Sequence, residues 1–155
     1  MTSIILLIVA LFLDGFLSTI IPLNYPFLPL ITVTTIYLIY PILKKKQKTY
    51  LLISFISGIL YDLLYTNQLL FNAIIFTTIS YITKYFYKTY QQTKITKIIY
   101  LIIILIIYEL LSASLLFIFQ ITSITISRII YKILYSILLN IIYAVIINIF
   151  LIKES

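Results

Sequence analysis

Histidine and cysteine are both missing from this chain. Their absence removes imidazole and thiolate metal ligands, disulfides and a histidine base. Glycine is almost as scarce, with only Gly15 and Gly58 present. A glycine-rich loop that cradles phosphate needs more than two, so nucleotide-binding loops of that kind are excluded. A Gly-x-Ser-x-Gly nucleophile turn is excluded for the same reason. Negative charge is short as well, at four acidic residues against eleven Lys and Arg. Charged residues make up 10% of the sequence, where a soluble domain carries about 25%. These absences leave no catalytic constellation, and neither an enzyme nor a cofactor is expected.

What is present is apolar. Hydrophobic residues form 63% of the 155, too many for polar atoms to cover the surface in water. A bilayer lifts that requirement. Apolar runs of about 18 residues or more recur along the chain, each long enough to cross a membrane. The net charge of +7 does not indicate nucleic acid, because the lysines sit in short clusters between apolar runs. That arrangement is the mark of membrane topology.

The pattern predicts an all-α integral membrane protein: one transmembrane domain over 1–155 that forms a six-transmembrane-helix bundle. The helices are expected near 2–21, 27–43, 49–66, 68–88, 95–120 and 128–152. The first lacks a basic leading region and a small-residue cleavage site, so a removed signal peptide is not expected. Pro22 to Pro26 forms a turn, since proline disfavours helix at the residue before it. Pro29 fits the first turn of the second helix, where a missing N–H costs little. Lys44, Lys45, Lys46 and Lys48 form one basic loop, and 88–97 forms another. Asn67-Gln68 is a tight polar break, and 121–127 is a third break rich in Thr and Ser. With both termini cytoplasmic, nine of the eleven Lys and Arg fall on the inner side, and only Arg128 and Lys132 on the outer. Positive residues favour the cytoplasm, so this orientation is preferred. Tyr40, Tyr50, Tyr87, Tyr90 and Tyr100 flank the basic loops, as an aromatic belt would.

Three of the four acids lie inside predicted helices: Asp14, Asp62 and Glu109. A charge at mid-bilayer costs about 2.5 kcal/mol or more on insertion scales. Counted from the proposed inner ends, they are the thirteenth, fourteenth and fifteenth residues of their helices. At a rise of about 1.5 Å per residue, they share one level. This predicts a polar layer turned toward the bundle interior, in which the acids are protonated, hydrogen-bonded to hydroxyls and amides, or paired with a partner's cation. Ser18, one turn above Asp14, and Asn72, at the opening of the fourth helix, are candidate partners. Gly58, one turn below Asp62, permits close helix approach, and Gly15 is a second such site. Ser136, Asn140, Ala144 and Asn148 recur at intervals of four in the last helix. That stripe of small and polar residues reads as glue between helices. The three acids read either as glue or as a contact for a partner.

Tyr61-Asp62-Leu63-Leu64 echoes Tyr108-Glu109-Leu110-Leu111, and Phe12-Leu13-Asp14-Gly15 is a fainter relative, which suggests a repeated hairpin. At these residues a family resemblance emerges. Phe12-Leu13-Asp14-Gly15 with Leu17-Ser18 resembles the first helix of the rod shape-determining protein MreD family. Gly58 to Leu64, a short polar turn and Leu70-Phe71-Asn72-Ala73 resemble that family's central hairpin, and Tyr108 to Leu111 its fifth helix. The chain departs from the family at the hairpin turn, which is usually rich in Gly and Pro but here reads Tyr65-Thr66-Asn67-Gln68. The resemblance implies a non-enzymatic scaffold of the cell-elongation machinery in the bacterial cytoplasmic membrane, guiding lateral peptidoglycan synthesis. It implies as partners an MreC-like single-pass protein, the MreB cytoskeleton, RodA and a penicillin-binding protein, besides membrane lipid. The layout is also similar to the substrate-binding subunits of energy-coupling-factor vitamin transporters, for which the polar layer would be a pocket. Those subunits usually dock through an Ala-rich first helix, whereas here that helix holds only Ala10.

Overall fold

The computed structural model describes residues 2–20, 29–66, 70–91, 93–119 and 126–152. These residues form six helices and no strand: α1 (Thr2–Ile20), α2 (Ile31–Leu43), α3 (Gln47–Tyr65), α4 (Phe71–Thr89), α5 (Lys94–Ile118) and α6 (Ile126–Ile152). The expected all-helical class is therefore observed. Two stretches, Thr2–Ile20 and Ile95–Ile118, combine the length and the apolarity of a membrane span.

The organising element is the shortest helix. Every residue from Leu30 to Tyr40 is buried, so α2 has no outward face over this stretch, and a helix segment buried all round belongs in the interior. α2 approaches all five other helices, which surround it in the order α1, α3, α4, α5, α6. Among the described residues, α1 and α6 do not approach each other. α1 and α6 therefore flank α2 on either side of a seam without backbone contact across it among the described residues. Ile36, Ile39, Phe76, Ile79, Leu101, Ile104 and Leu105 fill the space between α2, α4 and α5.

Several helix starts differ from the sequence expectation. The second helix begins at Ile31 rather than near 27, with Pro29 and Leu30 ahead of it instead of in its first turn. The reason is a side chain on α1 that claims the first amides of α2, described below. The fourth helix begins at Phe71 rather than 68; the Asn67-Gln68 break itself lies outside the described residues, as does the Pro22–Pro26 turn. Leu70 leads into α4 with φ of 68°, a left-handed conformation costing a non-glycine residue about 1–2 kcal/mol. Its carbonyl nonetheless accepts from Ile74 N at 3.2 Å. The first basic loop contracts to Lys44–Lys46, closed by Lys46 N donating to Leu43 O at 2.8 Å, and Lys48 falls in the first turn of α3. α5 starts where Thr93 Oγ1 accepts from Thr96 N at 3.2 Å, a regular N-cap. α6 begins at Ile126 instead of 128; 121–125 of the expected third break lie outside the described residues.

The expected tyrosine belt needs correcting. Tyr40 and Tyr50 are buried, not facing lipid. They pack edge-on with ring centroids 5.1 Å apart, and Tyr87 joins them at 4.9 Å from Tyr40. Tyr50 Oη donates to Ile36 O at 3.0 Å, and Tyr37 Oη to Lys97 O at 3.0 Å. Phenols that find backbone acceptors can sit inside a bundle as readily as at its rim. Pro41, in the last turn of α2, has no N–H to donate to the carbonyl of Tyr37, so one bond of the helix ladder is absent there.

Candidate functional site

The three acids that lie inside helices are all buried, with Asp14 at 3%, Asp62 at 1% and Glu109 at 3% exposure. Two of them perform the same task. The first amides of any helix have no intrahelical acceptor, and the helix dipole places partial positive charge there. At the start of α2, Leu30 supplies no side-chain cap. Asp14, from α1, supplies it instead. Its Oδ1 accepts from Ile31 N at 2.8 Å, and its Oδ2 accepts from Thr32 N at 2.9 Å and from Thr32 Oγ1 at 2.6 Å. At the start of α4, Leu70 likewise supplies no side-chain cap, and Asp62 of α3 does so. Asn72 N donates to both carboxyl oxygens at 3.0 and 2.9 Å, and Asn72 Nδ2 donates to Oδ1 at 2.8 Å. Ala73 N reaches Oδ2 at 3.3 Å, and Thr66 Oγ1 donates to Oδ1 at 2.9 Å. In each of these hairpins, an acid on the outgoing helix caps the returning one.

The two caps belong to one layer. Tyr108 Oη, on α5, donates to Asn72 Oδ1 at 3.1 Å, which ties α5 to the Asp62 cluster. Tyr61, Phe76 and Tyr108 pack in a row, with centroids 5.5 and 6.2 Å apart. The phenols of Tyr61 and Tyr108 lie within electrostatic range of Asp14, Asp62 and Glu109 alike. Tyr65 Oη donates to Leu11 O at 2.7 Å and so binds α3 to α1.

Both glycines occupy contact points. A Cβ on Gly58 would run into Ala73 Cα, with Ala73 N at 2.6 Å and Asn72 O at 2.7 Å. Those atoms are the backbone of the α4 start that Asp62 caps, so the missing side chain lets α3 and α4 close up around the cap. A Cβ on Gly15 would meet the ring of Tyr65, with Cε1 at 2.6 Å and Cζ at 2.8 Å.

Not every candidate joins this layer. Ser18 does not reach Asp14; its Oγ donates to Gly15 O at 2.8 Å, within its own helix. Asn140 faces α2, where its Oδ1 accepts from Thr34 Oγ1 at 2.9 Å and its Nδ2 donates to Ser136 O at 2.8 Å. A second bridge joins Thr35 Oγ1 and Tyr143 Oη at 2.8 Å. Ser136, Asn140 and Ala144 are buried as the stripe predicts; the side chain of Asn148 lies outside the described residues. Residues to which the sequence pattern assigns no joining role therefore do much of the joining: Thr32, Thr34, Tyr65, Tyr108 and Tyr143. The run Thr32, Thr34, Thr35 was the available signal, because hydroxyls crowded into an apolar helix need partners.

Chemically, the Asp14 and Asp62 clusters are sets of satisfied donors and acceptors. The oxygens of Asp14 and Asp62 are engaged by amides and hydroxyls, an arrangement that fixes helices in place. Among the described residues, no three His, Cys, Asp or Glu gather as a metal site would require. The family model for rod shape-determining protein MreD matches residues 1–153. Comparison with curated proteins and with solved structures gave no match.

Proposed function

The chain belongs to the rod shape-determining protein MreD family, and from that premise we propose that it is a non-enzymatic scaffold which receives a partner's transmembrane helix on the outer face of the seam between α1 and α6. It is a shape-determining membrane protein of the bacterial envelope. In our reading all six helices cross the cytoplasmic membrane with both termini inside, as the lysine distribution favours.

The seam between α1 and α6 is the observation that carries this reading. Among the described residues these two outer helices do not meet in backbone contact, and both present long apolar stripes. On α1, Ile4, Ile8, Phe12, Phe16 and Ile20 are exposed at intervals of four, and on α6 so are Leu134, Leu138, Ile142 and Ile146. The capped interior supplies what a scaffold needs, a fixed shape. α2 has 13 residues, about 20 Å of helix against a hydrocarbon core of about 30 Å. Its start then falls within the membrane, where free amides are tolerated only when protein satisfies them. Asp14 does so, and Pro29 and Leu30 are buried beside it. The same engagement of Asp14 and Asp62 speaks against a vitamin pocket at this layer, since their oxygens already have donors.

The partner best suited is an MreC-like single-pass protein, with the MreB cytoskeleton, RodA and a penicillin-binding protein in the wider assembly. The chain has no cysteine, so single cysteines at Ile8 or Leu138 give clean cross-linking probes. Each is expected to cross-link to the partner's membrane helix and to co-purify with it in mild detergent. A cysteine at Leu52, exposed on α3, is expected to stay unlinked. Failure of the partner to co-purify at all, or equal linking from Leu52, would remove the support for this reading.

A further inference from the structure

One feature of the surface sets a lysine cluster at the head of an exposed apolar stripe. Lys45, Lys46, Gln47, Lys48 and Thr49, at the turn from α2 to α3, line an open basin of about 390 Å³. Eight lysines in all gather at this end of the bundle, at 44, 45, 46, 48, 84, 88, 94 and 97, with no acidic residue anywhere between 44 and 50 or between 84 and 97. Below the basin the outer face of α3 continues downward from Lys48 as Leu52, Ile56, Leu60 and Leu64, at intervals of four and all exposed. At about 1.5 Å per residue this stripe runs some 24 Å from the lysine. That is more than the half-thickness of a hydrocarbon core of about 30 Å. Ile42, just before the turn, is exposed on the α2 side.

We propose that this turn and stripe form a binding site for an anionic phospholipid, with its phosphate held among Lys45, Lys46 and Lys48 and an acyl chain lying along Leu52, Ile56 and Leu60. The site rests on the bilayer placement of the helices and is independent of any protein partner. A free phosphate would use only the basin, and an acidic protein would have no use for a lysine-headed apolar stripe. A lipid of the anionic inner leaflet uses both.

The test is native mass spectrometry of the full chain released from micelles doped with phosphatidylglycerol or phosphatidylcholine. Phosphatidylglycerol adducts are expected to survive, and phosphatidylcholine adducts are not. Each lysine at such a surface contributes about 1 kcal/mol, roughly fivefold. K45Q/K46Q/K48Q should therefore weaken phosphatidylglycerol retention about a hundredfold, while K84Q/K88Q/K97Q, with the same charge removed, should shift it by less than about fivefold. Circular dichroism checks that both variants fold. Equal retention of the two lipids, equal loss in the two variants, or displacement of the lipid by excess inorganic phosphate would each overturn the assignment. Loss of the partner helix at the α1–α6 seam would leave these readings unchanged, so the two proposals fail separately.

Discussion

Replacing Asp14 by alanine removes the acceptor for three donors at the start of α2 in one step. Ile31 N, Thr32 N and Thr32 Oγ1 lie at 2.8, 2.9 and 2.6 Å from the carboxyl oxygens, and the site is buried. Loss of an ordinary N-cap costs about 0.5–2 kcal/mol. A buried donor left without an acceptor costs about 1–3 kcal/mol. Hydrogen bonds between membrane helices average only about 0.6 kcal/mol, because the unfolded chain in lipid also finds partners. Three bonds at that lower value give about 2 kcal/mol. Full desolvation of two amides gives up to about 6 kcal/mol. The expected loss for Asp14→Ala is between these, about 3–4 kcal/mol. Asp14→Asn keeps one carbonyl oxygen and the shape of the side chain, so about 1–2 kcal/mol is expected. Thr32→Val keeps both amide bonds and should lose about 1 kcal/mol.

The assay is equilibrium unfolding in mixed micelles, with helical circular dichroism followed as the fraction of denaturing detergent rises. Hydrogen exchange at the Ile31 and Thr32 amides locates the damage. The order Asp14→Ala, Asp14→Asn, Thr32→Val from worst to mildest is specific to trans-capping. So is the coupling: once Asp14 is gone, Thr32→Val should add almost nothing, since residues sharing one hydrogen-bond cluster are not additive. A midpoint for Asp14→Ala within about 0.5 kcal/mol of the parent, or full additivity with Thr32→Val, would refute the reasoning.

The two glycines should differ. Gly58→Ala forces Cβ against the backbone of Ala73 and Asn72 and is expected to destabilise by about 2–3 kcal/mol, as overpacking does. Gly15→Ala meets only the swingable ring of Tyr65 and should lose about 1 kcal/mol; detergent unfolding that ranks Gly15→Ala as the worse of the two would contradict the packing described. Asn140→Leu removes the bond to Thr34 Oγ1 and the one to Ser136 O. Its expected loss is about 1 kcal/mol, read as a lower unfolding midpoint, and an unchanged or higher midpoint would show that α6 is held to α2 by packing alone. Single cysteines at Lys45 and Gln91, both exposed, should react with a membrane-impermeant maleimide only once the cytoplasmic face is opened. Labelling on intact cells would reverse the orientation.

The acids were visible in the sequence because a carboxyl group in an apolar run is expensive in lipid. Their task was not visible, because the donors for Asp14 lie seventeen and eighteen residues further on, across a turn. A helix capped by its own N-cap residue leaves a local spacing pattern; a helix capped by another leaves none. Ser18 looked the nearer partner, yet a hydroxyl on a helix commonly turns back to a carbonyl of its own preceding turn, and Ser18 does so at Gly15 O.

The position of α2 was hidden for a different reason. In water, apolarity separates inside from outside. In lipid it does not, and apolarity alone does not single out α2 among the runs of this chain. What distinguishes α2 is the density of groups that need partners: Thr32, Thr34 and Thr35 stand within four residues, and their bonds reach α1 and α6. A hydroxyl facing lipid gains nothing from it, so a helix with hydroxyls on several sides must have neighbours on several sides. α1 shows the converse. Its exposed stripe from Ile4 to Ile20 carries no hydrogen-bonding group at the every-fourth positions, and its polar contribution, Asp14, lies on the opposite, buried face. Ranking membrane helices by where their polar groups fall around the axis, rather than by how apolar they are, would have placed α2 at the centre and α1 at the rim.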